Sequence, residues 1–214
     1  MAESLSVSSF LDVGQRSVAH LARALEGTGQ DLGDSRRILD FGCGCARTLR
    51  WLPGLTPLAA LYGTDVDAQA IAWDRQHFPE IIFSVNRPEP PLSFPAGNFD
   101  LVYSISVFTH LDQPLQERWI AELERVTASG ALLLVTVHGE ATWHGLPMED
   151  VEQLRQQGFL FKRSSKWRGI LPDWYHTAYH SRAHAVEAFG RHFEVVSYVP
   201  EGFGYQDLLV LRKR

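Results

Sequence analysis

Two glycines and two acids are the residues whose types and spacing first point to chemistry. The stretch DFGCGCA sets Asp40 ahead of Gly42 and Gly44, with Ala46 two positions further on. Glycines in such a turn let the backbone approach a ligand with no Cβ in the way. A second acid, Asp65 in GTDVD, stands 21 residues beyond Gly44. That is the spacing at which a carboxylate accepts hydrogen bonds from a ribose diol. Asp65 could instead cap the helix that comes next, but Asp67 fills that role better. A dinucleotide fingerprint needs glycine or alanine where this chain has Arg47, which speaks against a nicotinamide-dependent oxidoreductase.

The histidines are the second set. His110, in VFTHL, and His138, after the apolar run 131–137, are candidate catalytic bases. Imidazole titrates near neutral pH and can take a proton from a hydroxyl. Packing or capping accounts for either residue equally well. His176, His180 and His184 fall four apart and on one helix would share a face suited to zinc. Ser181 reads as the N-cap of that helix, which leaves the first two outside it, so no metal is expected. Cys43 and Cys45 read as small residues of the glycine loop. There is no G-x-S-x-G to suggest a hydrolase.

These residues need elements to position them. Apolar residues recur at helical spacing over 4–25, with Gly14 as a point where the helix would break. ILDFG reads as a buried strand and ARTLRWL as a helix, whose first amides would face a carboxylate or phosphate. Further strands are expected at 59–66, 80–85, 99–105 and 131–137, with helices at 68–78 and 113–126. Residues 87–98 carry four prolines and a glycine and read as loop. Beyond the fifth strand, 149–157 looks helical and the stretch after it irregular. A helix at 181–190 and strands at 193–199 and 208–211 close the chain, the last two as an antiparallel hairpin. Continuous apolar strands alternating with helices imply an α/β fold with a sheet covered on both faces.

RRILDFGCGCARTLRWL resembles motif I of class I S-adenosylmethionine-dependent methyltransferases, D-x-G-x-G-x-G, with Ala46 at the third glycine. YGTDVD is similar to motif II. SFPAGNFDLVYSISVFTHL and LERVTASGALLLVTVHG are similar to the stretches around the fourth and fifth strands. FGCGCAR, YHTAYHS and GYQDLLVLR further resemble bacterial small-molecule methyltransferases. The resemblance implies a Rossmann-like, doubly wound, mostly parallel sheet of about seven strands with a C-terminal antiparallel hairpin. It also implies S-adenosylmethionine as cofactor. Gly42 and Gly44 would face its methionine part, and Asp40 would hold its amino group directly or through water. Asp65 would take the ribose hydroxyls, Asn86 would sit near the adenine amino group, and Ser104 and Ile105 would line the methionine end. Arg16 could reach the cofactor carboxylate.

One domain over 1–214 is expected. Residues 1–30 would form a helical lid or simple sheet cover, 36–139 the cofactor core, 140–180 a cap inserted after the fifth strand, and 181–214 the last helix and hairpin. Trp143, Trp167, Trp174, Tyr175 and Tyr179 gather in the cap with Lys162, Arg163, Lys166 and Arg168. Read as an acceptor pocket, Lys166 and Arg168 would hold an anionic group, with Trp174, Tyr175, His176 and Tyr179 giving the shape. The expected reaction is methyl transfer to a small molecule, through an oxygen nucleophile. A module that binds cofactor without turnover, acting through a partner protein, is the alternative. The net charge of −5 and apolar fraction of 45% disfavour disorder, a nucleic-acid groove and an anionic membrane as partner. A homodimer stays open. The acidic start MAESLSVSSF lacks the basic flank of a signal peptide, and two cysteines build no disulfide framework, so a cytoplasmic location is expected.

Overall fold

The computed structural model describes residues 7–163 and 176–214. The first helix, α1 (Val7–Glu26), buries Val18, Leu21 and Leu25. It runs unbroken through Gly14, where the sequence suggests a break. A Cβ at Gly14 would lie 2.1 Å from the Arg47 carbonyl oxygen, so glycine here lets two backbones meet.

The apolar runs form β1 (Arg37–Phe41), β2 (Ala60–Asp65), β3 (Ile82–Val85), β4 (Phe99–Ser104) and β5 (Thr127–Val137). The C-terminal pair forms β8 (Phe193–Phe203) and β9 (Gln206–Lys213). All seven join one sheet in the order β3-β2-β1-β4-β5-β9-β8. The first five strands run parallel, and β9 is antiparallel to both β5 and β8. This is the doubly wound sheet with a terminal hairpin that the alternation of strands and helices predicts.

Helices α2 (Ala68–His77), α3 (Gln113–Val126) and α5 (Arg182–Gly190) complete the core. Along β1 the side chains alternate between faces. Ile38 joins Leu21 of α1 and Ile71 of α2, and Leu39 joins Trp119 and Leu123 of α3 and Phe189 of α5. Both faces are apolar because both are covered. Each fully buried side chain of this size contributes about 1.5–3 kcal/mol. Asp112 caps α3 by accepting from Leu115 N at 3.0 Å, and Asp67 caps α2 through Gln69 N and Ala70 N.

Two further expectations are corrected. The helix expected over ARTLRWL is only a 3-10 turn, Leu49–Trp51. Ala46 has φ +52°, a left-handed conformation that an α-helix cannot pass through. The Arg50 side chain donates instead to the Cys45 and Ala46 carbonyls. The second correction lies in the cap. After α4 (Met148–Gln157), the chain turns at Gly158, φ +76°. It then forms β6 (Phe159–Lys162), which pairs antiparallel with β7 (Thr177–His180). Four-residue strands are too short to show a period in the sequence. Among the described residues no helix is long and apolar enough to cross a membrane.

Candidate active site

A cleft of about 510 Å3 opens where the parallel strands end. Gly42 follows β1, Asp65 ends β2, Asn86 follows β3 and Ile105 follows β4, and all four line it. They come from four strands that are neighbours in the sheet. Gly42 has φ +82°, and a Cβ there would lie 2.1 Å from Val107 Cγ2. Both the turn and the contact therefore require glycine. The amides of Gly42 and Cys43 donate to the Thr64 carbonyl at 2.8 and 3.1 Å, which ties the glycine loop to β2.

Asp65 is oriented by the same loop. Its Oδ2 accepts from Gly44 N at 2.8 Å and its Oδ1 from Asp67 N at 2.9 Å. A carboxylate has about four acceptor directions, so each oxygen can still take a ribose hydroxyl. A loop amide thus does meet a carboxylate, but it is the protein's own. Asn86 is fixed in plane: its Oδ1 accepts from Thr64 Oγ1 at 2.9 Å and its Nδ2 donates to the Arg87 carbonyl at 2.7 Å.

Asp40, Gly44 and Ser104 lie behind this wall rather than on it. Asp40 is buried opposite Tyr103 of β4. Burial pushes its carboxyl up to about 8, against the opposing pull of the Tyr103 phenol, while the charge of Asp65 adds to the rise. Such an acid favours a cationic group beside it. Ser104 Oγ is buried and makes no hydrogen bond among the described residues. Two acids and one orphaned hydroxyl would suit the amino and hydroxyl groups of S-adenosylmethionine. Arg16 stands elsewhere. It is exposed on α1, pairs with Asp12 at 2.6 Å, and does not line the cleft.

The two histidines separate. His110 lines the cleft, and its Nδ1 donates to the His176 carbonyl at 2.7 Å. Burial lowers its pKa, against the pull of that carbonyl. The neutral ring therefore carries its proton on Nδ1 and its lone pair on Nε2. His138 is off the cleft wall, with its ring against Tyr179 and Tyr205 and its Nδ1 toward the Ala178 carbonyl at 3.2 Å. Burial takes it down to about 4. The two strand ends do not open onto one place, because β7 intervenes. Ala178 N donates to the Thr109 carbonyl and His180 N to the His138 carbonyl, at 2.7 and 2.8 Å. His176 reaches the cleft and Tyr179 does not. Lys166, Arg168, Trp174 and Tyr175 lie outside the described residues.

The opposite wall was not legible. It is built by Leu111, Leu115 and Trp119 around the start of α3, by Phe161 and Arg163 of the ribbon, and by Pro88. Trp119 spends its Nε1 on the Pro88 carbonyl at 3.1 Å. In the sequence, Leu115 and Trp119 look like any apolar helix face. Arg163 was visible only as one cation among several. Its neighbour Lys162 turns away to pair with Asp150.

Several known proteins are similar to this chain. Residues 39–135 match the family described as "Methyltransferase domain". A rice (Oryza sativa subsp. japonica) protein named "Probable tocopherol O-methyltransferase, chloroplastic" is 27% identical over 150 residues, covering 65% of this chain and 38% of its own length. An uncharacterized Synechococcus protein is 30% identical over 115 residues, covering 49% of this chain and 26% of its own. The chain thus spans at most 38% of the length of these two relatives. An S-adenosylmethionine-dependent methyltransferase from Mesorhizobium loti superposes with TM-score 0.68 at 17% identity, over 92% of this chain and all of that one. One from Methanosarcina mazei gives 0.66 at 20% identity, over 87% and 95%. At these identities the two structures show a shared fold.

Proposed function

We propose that this chain, whose residues 39–135 match the family described as "Methyltransferase domain", is a class I S-adenosylmethionine-dependent methyltransferase that transfers the methyl group to an oxygen of a small molecule. One observation carries the cofactor half of this reading. Gly42, Asp65, Asn86 and Ile105 converge on one wall from the ends of four adjacent strands. Asp65 would take the ribose diol, Asn86 the adenine edge, and Asp40 behind the wall the amino group. Gly42 leaves room for the backbone to come close.

When bound, S-adenosylmethionine supplies a methyl already activated on a sulfonium. The chain's own residues then orient the acceptor and exclude water. His110 would take the acceptor hydroxyl proton on Nε2 while the His176 carbonyl holds Nδ1–H. The apolar wall of Leu111, Leu115 and Phe161 would shape the pocket, and Arg163 would meet an anionic group. The name of the rice relative, an O-methyltransferase, supports an oxygen acceptor.

The first test is thermal. S-adenosylmethionine and S-adenosylhomocysteine should raise the melting temperature and NADH should not. Ligand at a hundred times its Kd adds about 2.7 kcal/mol. Stabilisation by NADH alone would sink the reading. A metabolite screen read by S-adenosylhomocysteine formation then separates an enzyme from a module that only binds.

A further inference from the structure

Ser106 is the strained residue of the cleft. It has φ +61°, a region that L side chains rarely adopt, and it lines the cavity between Ile105 and Val107. Each of its polar groups is tied by a side chain from elsewhere. Its N–H donates to Thr136 Oγ1 of β5 at 2.8 Å. Its carbonyl accepts from Thr109 Oγ1 at 2.8 Å. Its hydroxyl sits between Gln206 Oε1 and Nε2 of β9, at 3.1 and 2.9 Å. Thr136 and Gln206 are 1% and 2% exposed.

Buried polar side chains in apolar strands cost stability unless their hydrogen bonds are used. Here those bonds go to one residue. A left-handed serine persists only where its surroundings over-determine it, and such strain gathers at functional sites. The consequence is local and geometric. Val107 rests on Gly42, with its Cγ2 only 2.1 Å from where a Cβ of residue 42 would be. Relaxing Ser106 to an ordinary negative φ would redirect the chain at 107 and lift Val107 off the glycine loop.

We infer that Gln206, with Thr136, is a positioning residue for methyl transfer: it holds Ser106 left-handed and so seats Ile105 and Val107 against the cofactor's space. The inference rests on the cofactor reading above. Gln206 touches no reacting atom in this role and acts through Ser106.

The test is a cycle on the full chain, read by calorimetric titration with S-adenosylhomocysteine. Gln206→Leu should weaken binding about tenfold, the size of losing one strained conformer. Glycine takes the left-handed region at no cost, so in a Ser106→Gly background the same Gln206→Leu change should cost little or nothing. Thr136→Val keeps the shape without the hydroxyl and should repeat both results, which covers a Gln206→Leu chain that fails to fold. Equal losses in both backgrounds would make Gln206 a packing residue and overturn the inference. So would unchanged affinity in Gln206→Leu and Thr136→Val. A parent chain that binds no S-adenosylhomocysteine would overturn the cofactor reading, and the inference with it.

Discussion

The two ends of the cleft bury ionisable groups of opposite kind. Behind the glycine loop sits Asp40, pushed up to about 8 by burial. Around the ribbon sit His138 and His180, taken by burial down to about 4 and about 3, and His110, also lowered. Burial favours the uncharged form at both ends, yet the two ends answer pH in opposite senses. Asp40 has a folded-state value above its unfolded value of about 3.9. Its contribution to stability is full below that and is lost as pH rises through about 8. The histidines have folded values below about 6.5. Their contribution is present above that and is lost as pH falls through about 4 and then about 3. The difference fits the two tasks proposed above. The acid is costly to ionise until a cation arrives. The imidazoles are held neutral by burial, against the carbonyl oxygens that accept from His110 and His138 and favour the cation.

The sharpest way to break this comparison is at His110. His110→Gln should lower turnover by about 10²–10⁴-fold, measured as S-adenosylhomocysteine release with an active acceptor fraction, while cofactor binding holds. The parent rate should fall as pH drops through the lowered histidine pKa. His138→Gln should retain most of the rate, because that ring is off the cleft, and the reverse ranking would move the base to β5. Next comes Asp65→Ala, which should cost about 1.5–3 kcal/mol of cofactor affinity by calorimetry. Ligand-free stability should also fall, by about 1 kcal/mol, because the amides of Gly44 and Asp67 lose their acceptor.

Asp40→Asn reads the acid end. At pH 8 it should raise the melting temperature of the ligand-free protein, by about 2–4 °C for each kcal/mol gained. It should also weaken S-adenosylhomocysteine binding, whose affinity in the parent should climb with pH up to about 8. A lower melting temperature at pH 8 would mean that the buried carboxylate is already compensated. The smallest effect belongs to His138→Gln in stability. Urea midpoints should be near the parent's at pH 7 and should fall less steeply than the parent's between pH 6.5 and pH 4.

Legibility in the sequence depends on how far the cause of a feature reaches along the chain. The strands of the parallel sheet are continuous apolar runs, and their order comes from crossover rules once helices alternate with them. The places of Gly42, Asp65 and Asn86 on the cleft were legible because each stands at a strand end, whereas Asp40, one residue inside β1, ends up behind the wall. The turn at Ala46 was not, since nothing about alanine announces a positive φ. Gly14 pointed to a break for want of knowing that Arg47 would press on it. The ribbon escaped notice because each half has one or two side chains per face. Ser106, Thr136 and Gln206 are plain polar residues in sequence, and only their meeting gives them meaning. His138 looked equivalent to His110 because both come after central strands, and a backbone strand from residue 177 onward separates them.

The antiparallel placement of β9 sets an order of assembly during synthesis. Ser106 and Gln206 lie 100 residues apart, and β9 stands between β5 and β8 in the finished sheet. The glycine loop, Asp65 and Asn86 leave the ribosome early and can pair among themselves. The loop after β4 cannot take its clamped form until residue 206 has been translated and threaded beside β5. A nascent chain stalled before that point would hold a half-built wall, able to present Asp65 but not to seat Val107. A bound nucleotide-like ligand would therefore report on chains that already contain β9 and not on shorter precursors, since domains build from the N-terminal side as they are made.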